Sequence, residues 1–176
     1  MESAMTIVRS GARGATPEET FKGLFSRHYG VVYAYCARRI GRDEAADAAS
    51  EVFTVAWRKI GRVPVEPDAL PWLYGVARKV VSNTRRSQNR RRRLEAKAVA
   101  YADPEDRFAH PDSIEPVLER LRDDDREILM LVAWEGLGPH GLAAALGCSA
   151  NTAAVRLHRA RARLSDAWNE INGGGR

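Results

Sequence analysis

The sequence predicts an all-α protein of two small helical domains joined by a flexible linker, and three observations predict it. Apolar residues recur at spacings of three, four and seven over most of the chain, the pattern of amphipathic helices. Proline and glycine clusters fall between those stretches, where they punctuate helices. From Glu95 to Pro116 the periodicity fades and Pro104 and Pro111 appear, which divides the 176 residues in two. The expected organisation is a disordered tail at 1–17, a first domain at 18–94, a linker at 95–113, a second domain at 114–170 and a tail at 171–176. Each domain would hold fewer than ~90 residues, so each core is modest and depends on good helix packing.

The first helix opens at Thr16-Pro17-Glu18-Glu19: a capping hydroxyl, proline at the first helical position, then acids facing the positive helix end. Its stripe is Phe21, Leu24, Phe25, Val31, Val32 and Tyr35, and Gly41 ends it. Asp43 can cap the second helix, whose stripe is Ala46, Ala49, Phe53, Ala56, Trp57 and Ile60. Acids come early in that helix (Glu44, Asp47, Glu51) and bases late (Arg58, Lys59), as the helix dipole favours. The segment Gly61 to Pro71 holds three prolines and is not continuous helix. A third helix opens at Pro71, places Trp72, Val76 and Val80 on one side, and runs into Arg85, Arg86 and the arginines at 90 to 93.

In the second domain Leu118, Leu121, Ile128, Leu131 and Val132 form a stripe, with Asp123-Asp124-Asp125 expected to cap a new helix. Gly136 and Gly138 break the chain after Trp134. Two helical segments follow, Pro139 to Leu146 and Ala150 to about Trp168, separated by Gly147-Cys148-Ser149. This is the pattern of a helix-turn-helix. Ala143 is the small residue over which the second helix crosses, and Gly147 tolerates positive φ at the turn. Ser149 can cap the second helix, and Ala153 is its small inward residue. Arg156, His158, Arg159, Arg161 and Arg163 then supply side chains for phosphates and base edges. The plainer alternative is a helical hairpin with a solvated basic face; turn, cap and basic second helix together favour binding to duplex DNA.

The formal net charge of +5 alone only hints at a polyanionic partner; its clustering says more. Cys36 and Cys148 are far apart, so a disulfide framework is not expected and the chain reads as a reduced, cytoplasmic protein. No apolar run reaches the ~20 residues needed to cross a bilayer, so no membrane insertion is expected. His28, His110, His140 and His158 lack ligand spacing, and there is no nucleophile motif or glycine-rich phosphate loop. No enzyme activity, metal or cofactor is expected. Trp57, Trp72, Trp134 and Trp168 read as core or partner-groove residues before base-stacking platforms, with Trp72, next to the proline-rich loop, the one kept open.

These residues resemble the extracytoplasmic-function group of bacterial RNA polymerase sigma factors, over about Phe21 to Trp168. The run Leu121-Arg122-Asp123-Asp124-Asp125-Arg126-Glu127-Ile128-Leu129 is similar to the family's "L-P-x-x-x-R-E-V-L", and Glu135-Gly136-Leu137 to its "E-G-L/M" turn. The most specific stretch, Arg156 to Leu164, is nearly the family's "R-L-H-R-A-R-x-x-L". Asp47, Glu51-Val52-Phe53 and Ala56-Trp57 resemble "E-D-x-x-Q-E-x-F-x-x-A-W", and Trp72-Leu73 through Ala77-Arg78 resembles "W-L-x-x-I-A-R". The chain departs from the family at Ala46, Ser50, Lys79, Asn83 and Pro139-His140-Gly141, which bears on promoter sequence and contact strength, not on fold.

The resemblance implies an alternative sigma factor whose partners are core RNA polymerase and promoter DNA, with an anti-sigma factor as a further candidate and a nucleoid-associated location. The first domain would dock on the clamp of the largest polymerase subunit, through Asp43, Glu44, Asp47 and Glu51, and melt the −10 element. Arg58, Lys59, Arg62, Trp72, Arg78, Lys79, Asn83 and Arg86 would hold the opened strand, and the proline-rich loop would capture a flipped base. The second domain would sit on the flap of the second-largest subunit. It would read the −35 element through Ser149, Asn151, Thr152, Val155, Arg156, His158 and Arg159. The competing reading is a conventional helix-turn-helix regulator that dimerises to read two half-sites.

Overall fold

The computed structural model describes residues 15–98 and 114–172. Among them are seven α-helices and one 3-10 turn, with no strand: α1 (Pro17–Ile40), α2 (Arg42–Arg58), the turn at Ile60–Arg62, α3 (Ala69–Ala98), α4 (Glu115–Arg120), α5 (Asp123–Ala133), α6 (Pro139–Leu146) and α7 (Ala150–Asn172). Contacts divide the chain into two units at Val81/Ser82, inside α3 and ahead of the expected boundary at 94. Val80 and Val81 are the last buried residues of α3 before Arg91, which is why the division falls there. As backbone, α3 continues to Ala98, past the expected start of the linker at 95. The rest of that linker, the tail before Ala15 and the glycine-rich end lie outside the described residues.

The start of α1 is a reciprocal cap. The Glu19 amide donates to Thr16 Oγ1 at 3.2 Å, and the Thr16 amide donates to Glu19 Oε2 at 2.8 Å, satisfying two amides that the helix leaves open. Gly41, at φ +87°, ends α1 and itself precedes α2, so Asp43 lies within the first turn of α2 and is not its cap. Its carboxylate still faces the positive helix end.

Packing rotates several faces from their expected setting. The buried side of α1 is Leu24, His28, Val32, Tyr35, Cys36 and Arg39, while Phe25 and Val31 are 39% and 42% exposed. In α2 the buried residues are Ala45, Ala48, Ala49, Val52, Phe53 and Ala56; Ala46 and Trp57 face outward. In α3, which opens two residues before Pro71, Ala69, Leu73, Tyr74, Ala77, Val80 and Val81 are buried, and Trp72 and Val76 only half-buried. Each expected stripe matched helical periodicity but was turned about the helix axis: in α2 Ala49, Phe53 and Ala56 are buried as expected while Ala45, Ala48 and Val52 replace Ala46 and Trp57, and in α3 the inward face is Leu73, Tyr74, Ala77, Val80 and Val81. Trp57, Trp134 and Trp168 are all 40% exposed or more, so none of the three is a core residue.

In the second unit α7 carries the core along one side. Ala153, Ala160 and Ala167 are buried at a strict spacing of seven, with Leu164 and Ile171 packed against a cluster of Val117, Leu121 and Ala167. α5 begins after Arg122 with no side-chain cap, so the acids at 123–125 occupy its first turn and do not cap it. Arg126 caps the short α4 instead: its Nε donates to the Leu118 carbonyl at 2.8 Å and its Nη2 to those of Glu119 and Leu121. None of the described helices is long and apolar enough to cross a membrane.

The turn between α6 and α7 is a Schellman motif. The Gly147 amide donates to the Ala144 carbonyl at 3.2 Å and the Cys148 amide to that of Ala143 at 3.1 Å. Gly147 stands at φ +64°, and a Cβ there would meet nothing within 4 Å, so the need for glycine is conformational and not steric. Gly147→Ala is expected to lower stability by about 1–2 kcal/mol, with Gly147→Asn costing less. Urea denaturation checks this, and an unchanged midpoint for the alanine variant would show that the turn relaxes into another form.

Candidate nucleic-acid interface

The helix-turn-helix places α7 by three local devices: the left-handed turn at Gly147, buried Ala143 and Ala153 on the two helices, and a cap. Ser149 Oγ accepts the Thr152 amide at 3.1 Å and also bonds Thr152 Oγ1 at 2.9 Å. Both hydroxyls are thus already engaged in starting the helix. With Ala153 and Ala160 turned inward, Asn151, Val155 and His158 rise one above another on the outward side at spacings of four and three. Thr152 and Arg159 flank them and Arg156 lies at the margin of the face; all but half-buried Thr152 are exposed.

Arg163, grouped with the DNA-facing arginines on sequence, is committed elsewhere. Its Nη1 lies 2.8 Å from both carboxylate oxygens of Asp125, which is 6% exposed. The pair ties α7 to the start of α5. Removing the guanidinium would leave a buried carboxylate unpaired.

In the first unit Arg58 and Lys59 are exposed at the end of α2, and Arg62 is exposed in the 3-10 turn that begins the proline-rich loop. Trp72 and Arg78 are half-buried on α3. Further along the continuous helix α3, Lys79 and, past the Val81/Ser82 division, Asn83 and Arg86 are exposed at spacings of four and three in one row, and Arg90 extends it. Arg86 Nη2 donates to Asn83 Oδ1, and Asn83, Arg86 and Arg90 line a shallow concavity. Asp43, Asp47 and Glu51 form an exposed row at spacings of four on α2; Glu44 is half-buried beside them.

Two features of this unit escaped the sequence reading. Phe21, Phe25, Tyr29 and Tyr33 form an aromatic file along α1 at spacings of four, and it meets Phe53 and Trp57 of α2, with Phe25 and Phe53 centroids 4.9 Å apart and those of Phe21 and Trp57 5.2 Å apart. The spacing was visible in the sequence, but not that part of the file stays at the surface. The second is a tether on the proline-rich loop. Glu66 Oε1 lies 2.6 Å from His28 Nε2 and 2.9 Å from Arg27 Nη1, both on α1. Partial burial raises the Glu66 carboxyl pKa, but the hydrogen bonds from His28 and Arg27 and their charges outweigh this and leave it below the usual carboxylate value. Among the described residues no group of His, Cys, Asp or Glu side chains could hold a metal ion.

Exposed Arg156 and ion-paired Arg163 are expected to respond differently to substitution. Arg163→Ala is expected to cost about 1–3 kcal/mol of stability, below the figure for a fully buried pair because Arg163 is partly solvated. Arg156→Ala should leave stability within about 0.5 kcal/mol and reduce the salt slope of duplex binding by about one. Urea unfolding and fluorescence anisotropy across a salt series measure the two; the reverse pattern would exchange the roles.

Residues 24–91 match the family model for sigma-70 region 2, and residues 112–164 that for sigma-70 region 4. The RNA polymerase sigma factor CarQ of Myxococcus xanthus is 29% identical, covering 95% of this chain and 97% of its own. The ECF RNA polymerase sigma factor SigD of Mycobacterium bovis is 33% identical, over 77% of this chain and 71% of that one. Among solved structures, CnrH in complex with the cytosolic domain of CnrY is similar at a TM-score of 0.58 and 28% identity, over 85% of this chain and 88% of that one. The sigma factor RpoE bound to the anti-sigma factor NepR from Bartonella quintana is similar at 0.55 and 25%, over 89% and 98%. With both sigma regions matched in order and relatives of this identity along most of its length, the chain belongs to the extracytoplasmic-function group of RNA polymerase sigma factors.

Proposed function

We propose that this alternative sigma factor directs initiation by reading the −35 element as duplex with α7 and opening the −10 element with the α2–α3 loop and the outer row of α3. The observation that carries the reading is the capped recognition helix, whose outward file of Asn151, Val155 and His158, flanked by Thr152, Arg156 and Arg159, fits a major groove. Ser149 supports it by capping. Val155 is 41% exposed, an apolar contact of the kind that meets a thymine methyl.

For the −10 element the supporting features are Arg58, Lys59 and Arg62 beside the loop, and Lys79, Asn83 and Arg86 along α3. These cations follow a phosphate backbone, and the loop offers a place for one extruded base. Trp72 and Arg78 line the start of α3 and are less available, being half-buried. The acidic row Asp43, Asp47 and Glu51, with Glu44, suits the basic clamp of the largest polymerase subunit, and the second unit the flap of the second-largest. Two structural relatives are bound to regulators, CnrH to CnrY and RpoE to the anti-sigma factor NepR, which supports an anti-sigma factor as a partner here. Action would be at the nucleoid.

Run-off transcription with core RNA polymerase on a pool of promoter fragments tests the whole reading. New transcripts with defined starts that depend on this protein are expected; silence, together with a dimer that shifts a palindromic duplex unaided, would replace it with a conventional regulator. Within that assay, exchanging Asn151 should change the preferred −35 sequence, whereas Arg86→Ala should impair opening and spare duplex binding. Equal loss of both activities in both variants would remove the division of labour between the two surfaces.

A further inference from the structure

The loop between α2 and α3 is placed by side chains and not by backbone pairing. Its described backbone hydrogen bonds are local: the amides of Arg62 to Lys59 at 2.7 Å, Val63 to Ile60 at 3.3 Å and Asp68 to Val65 at 3.0 Å, and that of Trp72 to the Asp68 carbonyl at 3.1 Å. Each spans three or four residues, so together they shape turns and the start of α3 without reaching α1. Glu66 reaches across instead, to two adjacent residues of α1.

The two donors differ in kind. Arg27 is well solvated, its side chain 60% exposed, and an ion pair of that sort contributes little by itself. The His28 side chain is 7% exposed and sits in the inward file of α1, between Leu24 and Val32 at four residues on either side. A polar ring in that position costs free energy unless it is hydrogen-bonded, where a leucine would not. A carboxylate can only accept, so His28 Nε2 carries a proton and donates it to Glu66. Packing holds the imidazole in place, and the imidazole in turn fixes where Glu66, and with it the loop, can lie.

We propose that His28, assisted by Arg27, is a positioning residue that holds the 61–68 loop through Glu66 in the shape that receives the unstacked base of the −10 element. This rests on the reading of that loop as the base-capturing element. The enclosed His28 acts through Glu66 and makes no DNA contact of its own. A loop already ordered before capture spares the binding step the cost of ordering it, so the tether acts on promoter opening and base discrimination. Core-enzyme docking and −35 recognition use other surfaces and are not affected.

The test uses the full chain with core RNA polymerase and compares Glu66→Ala, His28→Ala, His28→Gln and a triple-glycine variant carrying Val63→Gly, Pro64→Gly and Val65→Gly. Opening is read by permanganate reactivity, and base preference by transcription from promoters permuted at each −10 position. Glu66→Ala and His28→Ala are expected to lower opening about tenfold and flatten the preference at one position. His28→Gln, whose amide can still donate to Glu66, should recover most of both, a rescue that loss of packing alone would not give. Duplex −35 binding and core binding serve as folding controls. If Glu66→Ala opens promoters with the parent preference while the triple-glycine variant does not, the loop captures the base but the tether is irrelevant, and the proposal is overturned. It is also overturned if His28→Gln is as defective as His28→Ala while Glu66→Ala is active, because His28 is then only a packing residue. If the triple-glycine variant itself keeps full opening and preference, the base-capture reading fails and the proposal falls with it.

Discussion

Ala45, Ala48, Ala49 and Ala56 of α2 and Ala153, Ala160 and Ala167 of α7 are all buried, and the two units depend on what those small side chains allow. Alanine at a helix contact lets backbones approach closely, and the larger buried side chains, Tyr35, Leu73, Leu131 and Leu142 among them, complete the two cores. Little apolar volume is then available in each small unit, and loss of a helix position cannot be absorbed by a deep core. The helices are held in place by terminal devices as well as by packing: the reciprocal cap at Thr16 and Glu19, the Arg126 side chain on the α4 carbonyls, and the Schellman turn at Gly147.

The same economy explains where polar side chains are buried. Asp125 and His28 are enclosed, and each is joined to a partner thirty-eight residues away in the chain. Asp125 uses Arg163 to fix the orientation of α7 against α5, and His28 uses Glu66 to place a loop. Buried polar contacts contribute modestly to net stability but strongly to uniqueness of geometry, because the unpaired alternatives are costly. On the proposed reading, one helix face meets a groove and one loop meets a single base, and for both tasks geometry is the quantity that matters. The outward residues Asn151, Val155, His158 and Arg159 remain available because the inward ones carry the orientation.

Arginine on α7 illustrates how chemistry alone underdetermines role. Arg156, Arg159 and Arg163 share one side-chain type within two turns of helix, and composition treats them alike. Arg163 lies over the α5 terminus and is drawn to a buried carboxylate, while Arg156 and Arg159 are exposed. The acids at 123–125 divide similarly: Asp123 and Asp124 stay exposed in the first turn of α5, and only Asp125 turns inward. A cluster read as one feature from its sequence becomes two features once the helix has a direction.

The sequence by itself determined the features that act over one or two helical turns. The cap at Thr16, the stop at Gly41, the α6 bounds, the left-handed turn at Gly147 and the Ser149 cap were all legible, because their partners lie within about four residues. The two motif blocks that mark the family were legible for the same reason. Only the tertiary structure decided which side of each helix turned inward, since Phe25, Val31, Trp57 and Trp72 satisfy the same periodicity as the neighbours that are buried in their place, such as Leu24 and Val32 on α1, Ala45 and Ala48 on α2 and Leu73 and Tyr74 on α3. It also decided the pairings of Asp125 with Arg163 and of His28 with Glu66. A hydrogen bond across thirty-eight residues leaves no spacing pattern in the chain, and it exists only because packing elsewhere brings the two side chains within 3 Å.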